Sequence, residues 1–231
     1  MATAQLGIIL QSISGKVGNA VFHKTKDGII VAPRTKGSNP NTAAQQLVRA
    51  ALTKASRDWK NFDLSTVQAW ENYAAGITFH NRTTGQAYTP TGINAYTELA
   101  SKFYQMNPTG TAPTTPPAAA FNGDNVTITA VAATGKITFT ASAANAAGVT
   151  TEFLVQTLAS KNRKPQKNGY RVKGYYAFVT GTLSHDIDVP TGYYAAGYRF
   201  VSTATGQASA PVYFSETEQV AFTVTEGKKA A

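Results

Sequence analysis

Residues 107–120, NPTGTAPTTPPAAA, divide the chain into two sequence regimes. The stretch carries no charge and no apolar periodicity, and every position after the first is Pro, Thr, Gly or Ala, the composition of an extended connection. Upstream, apolar residues recur at three- and four-residue spacing; downstream, they alternate. The change of period predicts an α+β N-terminal part over residues 1–106, a linker over 107–118 and an all-β domain over 119–231. A linker that buries no apolar area is also the expected first site of proteolysis.

Three helices are predicted upstream. In NPNTAAQQLVRAALTKASRDW, which a Thr42 or Asn41 cap opens, Ala44, Leu47, Val48, Ala51, Leu52, Ala55 and Trp59 fall on one face. DLSTVQAWENYAAG starts at a capping Asp63 or Ser65, aligns Val67, Trp70, Ala74 and Ile77, and stops near Gly76. TPTGINAYTELASKFYQMN aligns Ile93, Tyr96, Ala100 and Phe103. Between the second and third helices, ITFHNRTTGQAYT reads as a short hairpin turning at Thr-Thr-Gly.

Ahead of the helices, KVGNAVFHK and GIIVAPR read as paired strands with their turn at Lys26-Asp27-Gly28. Phe22 and Val21 alternate with Lys24 and Ala20, which predicts one apolar face in need of a cover. Two covers are open: Trp59 and Trp70 of the same chain, or the surface of a neighbouring protein. A basic, strand-rich arm is also placed to add its edge to a neighbour's sheet. The expected assembly residues are therefore Lys16, Val21, Phe22, Lys24, Ile29, Ile30 and Arg34.

Downstream, NVTITAVAA, KITFTASA, TTEFLVQTLAS, YRVKGYYAFVT, SHDIDVP, YYAAGYRFVSTATG and VYFSETEQVAFTVTE each alternate apolar with polar or small residues. About seven short strands in this length are what a β-sandwich needs. Within them, DVPTGYYAAGYRFVSTATGQASAP resembles the late strands of fibronectin type III domains, where a proline-led turn precedes a Tyr-bearing strand and a Gly-containing turn. The resemblance implies an immunoglobulin/fibronectin III-like sandwich.

Composition narrows the function. Absence of cysteine excludes disulfides, thiol catalysis and Cys-ligated metals. No apolar run approaches a membrane span or a signal peptide, so the product is expected to be soluble, off the membrane and made in a cytoplasm. Gly15, Lys16 and Gly18 lack the spacing and the following Ser/Thr of a phosphate-binding loop, so these glycines are read as bends in strands. His185, Asp186 and Asp188 are the closest approach to a metal or general-base cluster. On a strand, however, His185 faces away from both carboxylates. His23 and His80 each stand without an acidic neighbour, and no nucleophile motif occurs. The expectation is a protein that is not an enzyme and needs no cofactor.

The net charge of +9 favours anionic partners. It gathers in two places: Lys16, Lys24, Lys26, Arg34 and Lys36 against Asp27, and Lys161, Arg163, Lys164, Lys167, Arg171 and Lys173 with no acid among them. The second group sits in a Pro/Asn/Gly loop with tyrosines beside it. That pattern fits either a solvated loop or a nucleic-acid-binding segment.

The run from Gly15 to Ala74 resembles a family of bacteriophage and prophage proteins. The matching residues are Gly15, Lys16, Gly18, Val21, Phe22, Gly28, Pro33, Arg34, Asn39, Pro40, Thr42, Gln45, Arg49, Trp59, Trp70 and Ala74; His23 stands where a basic residue is usual. The later TPTGINAYTELA also fits, and the likeness spans about residues 6–106. It implies a virion or virion-assembly component; the expectation is a structural protein of head decoration, neck or tail assembly that packs against other virion proteins and, as a homo-oligomer, against copies of itself. Nucleic-acid binding through residues 16–36 and 161–173 is the alternative.

Overall fold

A computed structural model describes residues 2–4, 14–25, 28–35, 37, 39–81, 85–214 and 222–224. The described chain is a mixed α+β fold of three helices and antiparallel sheets. Its compact units are residues 1–42 and 43–231.

The described strands of the first unit form a single sheet in the order β1 (Ala2–Ala4), β4 (Gly28–Pro33), β3 (Ala20–Thr25), β2 (Gly15–Val17). Strands β3 and β4 pair from Ala20↔Pro33 to Thr25↔Gly28, as the hairpin reading expects. Of the expected turn, Lys26 and Asp27 lie outside the described residues. KVGNAVFHK is two strands rather than one, however. Gly18 has φ +55° at the first central position of a two-residue turn, and Val17 pairs with Ala20 across it. That is the glycine placement of a type II′ hairpin, whose twist suits paired strands.

In the second unit, α1 (Ala43–Lys60), α2 (Leu64–Ala75) and α3 (Gly92–Met106) form the predicted cluster. Asp63 caps α2 by accepting the Thr66 N–H at 3.1 Å, and Gly76 ends it. Helix α1 meets the cluster through the small residues Ala51 and Ala55, while Leu47, Val48 and Leu52 of the expected face stay exposed. Trp59 and Trp70, the expected intrachain cover of the hairpin, take their ring partners from the cluster itself: Phe62, Tyr73 and Tyr96. A two-residue ladder, β5 (Phe79–His80) with β6 (Ala87–Tyr88), lies between α2 and α3; Thr83 and Thr84 of its expected turn fall outside the described residues.

The expected linker is strapped to the helices. The Trp70 indole N–H donates to the Thr114 carbonyl at 2.7 Å, and the Lys54 ammonium donates to the carbonyls of Gly110 (2.6 Å) and Pro108 (3.1 Å). The Ala112 N–H donates to the Tyr104 hydroxyl at 3.1 Å, and Ala112 is only 4% exposed. An irregular segment has carbonyls free of any ladder, and side-chain donors on the helices use them. The boundary between compact units consequently falls at Thr42/Ala43, and residues 107–118 lie inside the second unit.

The strand-rich half follows the predicted order of strands. One sheet runs β11 (Ser184–Asp188), β8 (Lys136–Ala141), β7 (Ile128–Ala133). The other runs β10 (Arg171–Tyr176), β9 (Val149–Leu158), β12 (Gly192–Ser202), β13 (Val212–Tyr213), with β14 (Phe222–Val224) also on β12. Ile128, Ile137, Phe139 and Ile187 from the first sheet share one core with Phe153, Val155, Tyr194, Tyr198 and Phe200 from the second.

Strands β9 and β12 are buried over most of their length, on both faces. The inner face meets the other sheet. On the outer face lies α3: Lys102 reaches Glu152 of β9, and Gly206, just after β12, passes so close to α3 that an added Cβ would strike the Leu99 carbonyl oxygen. The result is three layers, helix on sheet on sheet.

Candidate functional site

Pairing in the first unit decides which side chains share a face. Phe22 lies opposite Val31 and Gly15, and Lys24 lies opposite Ile29. These residues with Val17 and Ala20 define one face. Val21, His23, Ile30, Ala32 and Lys16 occupy the other. Val21 and Phe22 are therefore on opposite faces, because neighbours along a strand alternate. The expected single apolar face is two half-apolar faces. Ile29 is buried, Val21, Phe22, Ile30 and Val31 are partly buried, and Lys16, Val17 and Lys24 are exposed.

Edge addition by the hairpin is restricted as well. Among the described residues, β1 occupies the free edge of β4 and β2 that of β3, so the strands at the edges are three residues long. Short edge strands limit templating by another chain. The two faces thus offer more contact than the edges. Arg34 follows β4, its side chain exposed and its N–H donated to the Asn19 carbonyl at 2.7 Å. Lys36 lies outside the described residues.

The second basic group is placed together. Lys161, Arg163, Lys164 and Lys167 are exposed on the loop between β9 and β10. Arg171 opens β10, the outer strand of its sheet. Lys173 is the extra residue of a β-bulge, since Val172 pairs with Leu154 and Gly174 with Phe153. The tyrosines beside the loop are occupied in packing. The Tyr170 and Tyr213 rings meet at 4.4 Å, tilted by 32°, and Tyr170 and Tyr193 pack on Leu158 and Ala195.

The SHDID segment separates its groups as the strand reading expects. His185 stacks on Tyr176 at 4.0 Å and lies parallel to the Phe153 ring at 5.6 Å. Burial pushes its imidazole below the ordinary histidine range, while Asp186 pulls the other way. Asp186, on the opposite face, accepts from Lys136 and from the Thr138 hydroxyl.

One charged constellation has no counterpart in the sequence reading. Glu152, 0% exposed, stands opposite Arg199 of β12 on one side and Tyr175 of β10 on the other. The Arg199 Nε–H donates to its carboxylate, the Tyr175 hydroxyl donates at 3.1 Å, and the Lys102 ammonium of α3 lies at 3.0 Å. Burial works to raise the Glu152 carboxyl, but the Arg199 guanidinium and the Lys102 ammonium outweigh it and hold it below the usual range. The hydroxyl of Tyr175 is pushed well up by burial and by that carboxylate. The signal was a lone Glu in TTEFLVQTL and a lone Arg in YYAAGYRFV, yet only the strand register joins them. Beside the cluster, a groove of about 520 Å³ runs between α3 and the 206–208 turn, with Tyr73, Phe79, Glu98, Phe121 and Arg199 among its walls. Its charged lining is Glu98, Lys102 and Arg199, and both of these cations are already engaged by Glu152.

Compared with protein-family models, with curated proteins and with solved structures, the chain matches none.

Proposed function

We propose that this protein is a structural component of a bacteriophage particle and works by packing against protein partners, copies of itself included. The family resemblance over residues 6–106 supplies the biological setting. The observation that carries the mechanism is the first unit: its described residues form one four-stranded layer with apolar side chains on both faces. A single layer leaves Phe22, Val21, Ile30 and Val31 partly in water. Burying such a side chain fully is worth about 1.5–3 kcal/mol relative to full exposure, and these, already partly buried, stand to gain a share of that. A sheet of this kind gains stability from whatever closes over it, and assembly supplies the cover.

The finer reading of the sandwich belongs with this proposal. Set against the A-B-E-D and C-F-G sheets of an immunoglobulin constant-type fold, β7, β8 and β11 stand as A, B and E, and β9 and β12 as C and F. The fourth strand, β10, has moved beside C, the arrangement that a fibronectin III-like domain implies. Near the start of β12, the Tyr194 hydroxyl donates to the Pro190 carbonyl at 2.7 Å, which supports the same reading because tyrosine corners make this bond. Such sandwiches in an assembly protein serve as rigid, adhesive spacers.

The test uses Phe22→Ala and Val21→Ala, one for each face, in the full chain. Expected is loss of self-association by analytical ultracentrifugation, or of incorporation into particles, while the melting of the second unit stays unchanged. A wild-type chain that remains monomeric at high concentration and is missing from purified particles by mass spectrometry refutes the proposal.

A further inference from the structure

We propose that the basic loop and edge strand over residues 161–173 form a docking surface for the phosphate backbone of double-stranded nucleic acid. Six cations, Lys161, Arg163, Lys164, Lys167, Arg171 and Lys173, occupy one exposed loop and the strand that continues it, with no carboxylate in the segment. Among the described residues the ion pairs are Lys102–Glu152, Arg199–Glu152 and Lys136–Asp186, and none involves these six. No carboxylate among the described residues compensates their charge.

The loop is also preorganised. The Gln166 N–H donates to the Gln156 side-chain oxygen of β9 at 3.0 Å, and Gly169 packs against the same side chain. The Arg171 guanidinium donates to the Asn168 and Tyr170 carbonyls, each at 3.0 Å. A tethered loop spends less ordering entropy on binding than a free tail.

Edge protection, the ordinary reason for cations and a bulge on an outer strand, accounts for Arg171 and Lys173. It leaves the four loop cations unexplained, because they lie off the edge. Two features choose the polyanion. The bulge at Lys173 interrupts the ladder that an added peptide strand needs, which disfavours an acidic protein segment joining β10. Tyr170, Tyr193 and Tyr213 are partly buried and engaged in packing, which makes them poor platforms for unstacked bases, the main contact of single-strand binders. What remains is sequence-independent contact with duplex phosphates.

Fluorescence anisotropy of the full chain with a short labelled duplex tests this. Each phosphate contact lowers the log–log salt slope by about 0.9, so six contacts cost roughly a thousandfold in affinity between about 50 and 200 mM salt. Replacing Lys161, Lys164 and Lys167 with Gln should flatten the slope by about 2.7. The same number of charges removed from exposed positions of α1, by Arg49→Gln, Arg57→Gln and Lys60→Gln, should leave it in place. Melting curves check that each variant is folded. Equal losses from both triple variants would mean attraction by net charge alone and overturn the proposal. Tighter binding to oligo-dT than to duplex, or binding to polyglutamate without binding to duplex, overturns it as well.

Discussion

Replacing Glu152 with Gln removes one charge from the middle of the three-layer stack and changes almost nothing else in shape. Lys102 and Arg199, with side chains 13% and 27% exposed, then face each other without the carboxylate that both contact. Removing one member of a buried ion cluster costs about 3–5 kcal/mol, because the surviving charges keep their desolvation penalty. The partial exposure of Arg199 gives it a route to water, so the lower end, about 3 kcal/mol, is the expectation. In a unit of this size that is a fall in melting temperature of about 6–12 °C. Urea titration followed by circular dichroism measures the free energy, and a thermal scan measures the shift. Combining Glu152→Gln with Lys102→Met should recover part of the loss, since it removes one orphaned cation. Glu152 is held ionised when folded, so its contribution is complete above the unfolded carboxyl value of about 4.3 and is lost as pH falls below it. The reasoning is refuted if Glu152→Gln melts within a degree or two of the parent, or if the losses at Glu152 and Lys102 simply add.

Three further outcomes follow from the same packing. Trp70→Phe keeps an aromatic ring but removes the donor to Thr114; it should cost about 1–3 kcal/mol and make residues 107–118 more open to limited proteolysis than in the parent. Because burial lowers the His185 value, stability should be full above the unfolded value of about 6.5 and decline as pH falls through the folded one. Melting scans at a series of pH values should show that decline flattened in His185→Phe. Gly206→Ala meets both a φ of +76° and the Leu99 carbonyl, so it should destabilise by more than about 1 kcal/mol in denaturant titration, whereas Gly135→Ala, also at positive φ but in open space, should cost less.

Local signals in the sequence carried most of the secondary structure. Asp63 and Gly76 bracket α2 because a side-chain cap and a helix stop are written within a few residues of the helix. The alternation of KITFTASA and SHDIDVP survives as β8 and β11, paired from Lys136↔Asp188 to Thr140↔Ser184. What stayed hidden is long-range or carried by the backbone. The strap over residues 107–114 is held largely through its carbonyls, which every residue has, so a Pro/Thr-rich stretch that is fastened down looks like one that is free. Glu152 and Arg199 became a pair only when a ten-residue register set them opposite each other. At the candidate assembly sheet, composition marked the right segment, but a two-residue turn at Gly18-Asn19 and the alternation of Val21 with Phe22 divided one expected face into two. The basic loop was legible as charge. Its tether to Gln156, and the engagement of its tyrosines, were not.

The position of α3 against β9 and β12 also sets an order of events for the nascent chain. A ribosome delivers Lys102 fifty residues before Glu152, and Leu99 more than a hundred before Gly206, the turn that closes over it. During that interval the helix emerges with the face meant for the sheet still bare, and its lysine has no counter-ion. Contacts this distant in sequence slow the search for the native state, and exposed apolar surface in the meantime invites association with other unfinished chains. The helices must therefore wait for strands not yet synthesised, so a product truncated before β12 is expected to fall to chaperones or proteases instead of persisting as a folded N-terminal fragment.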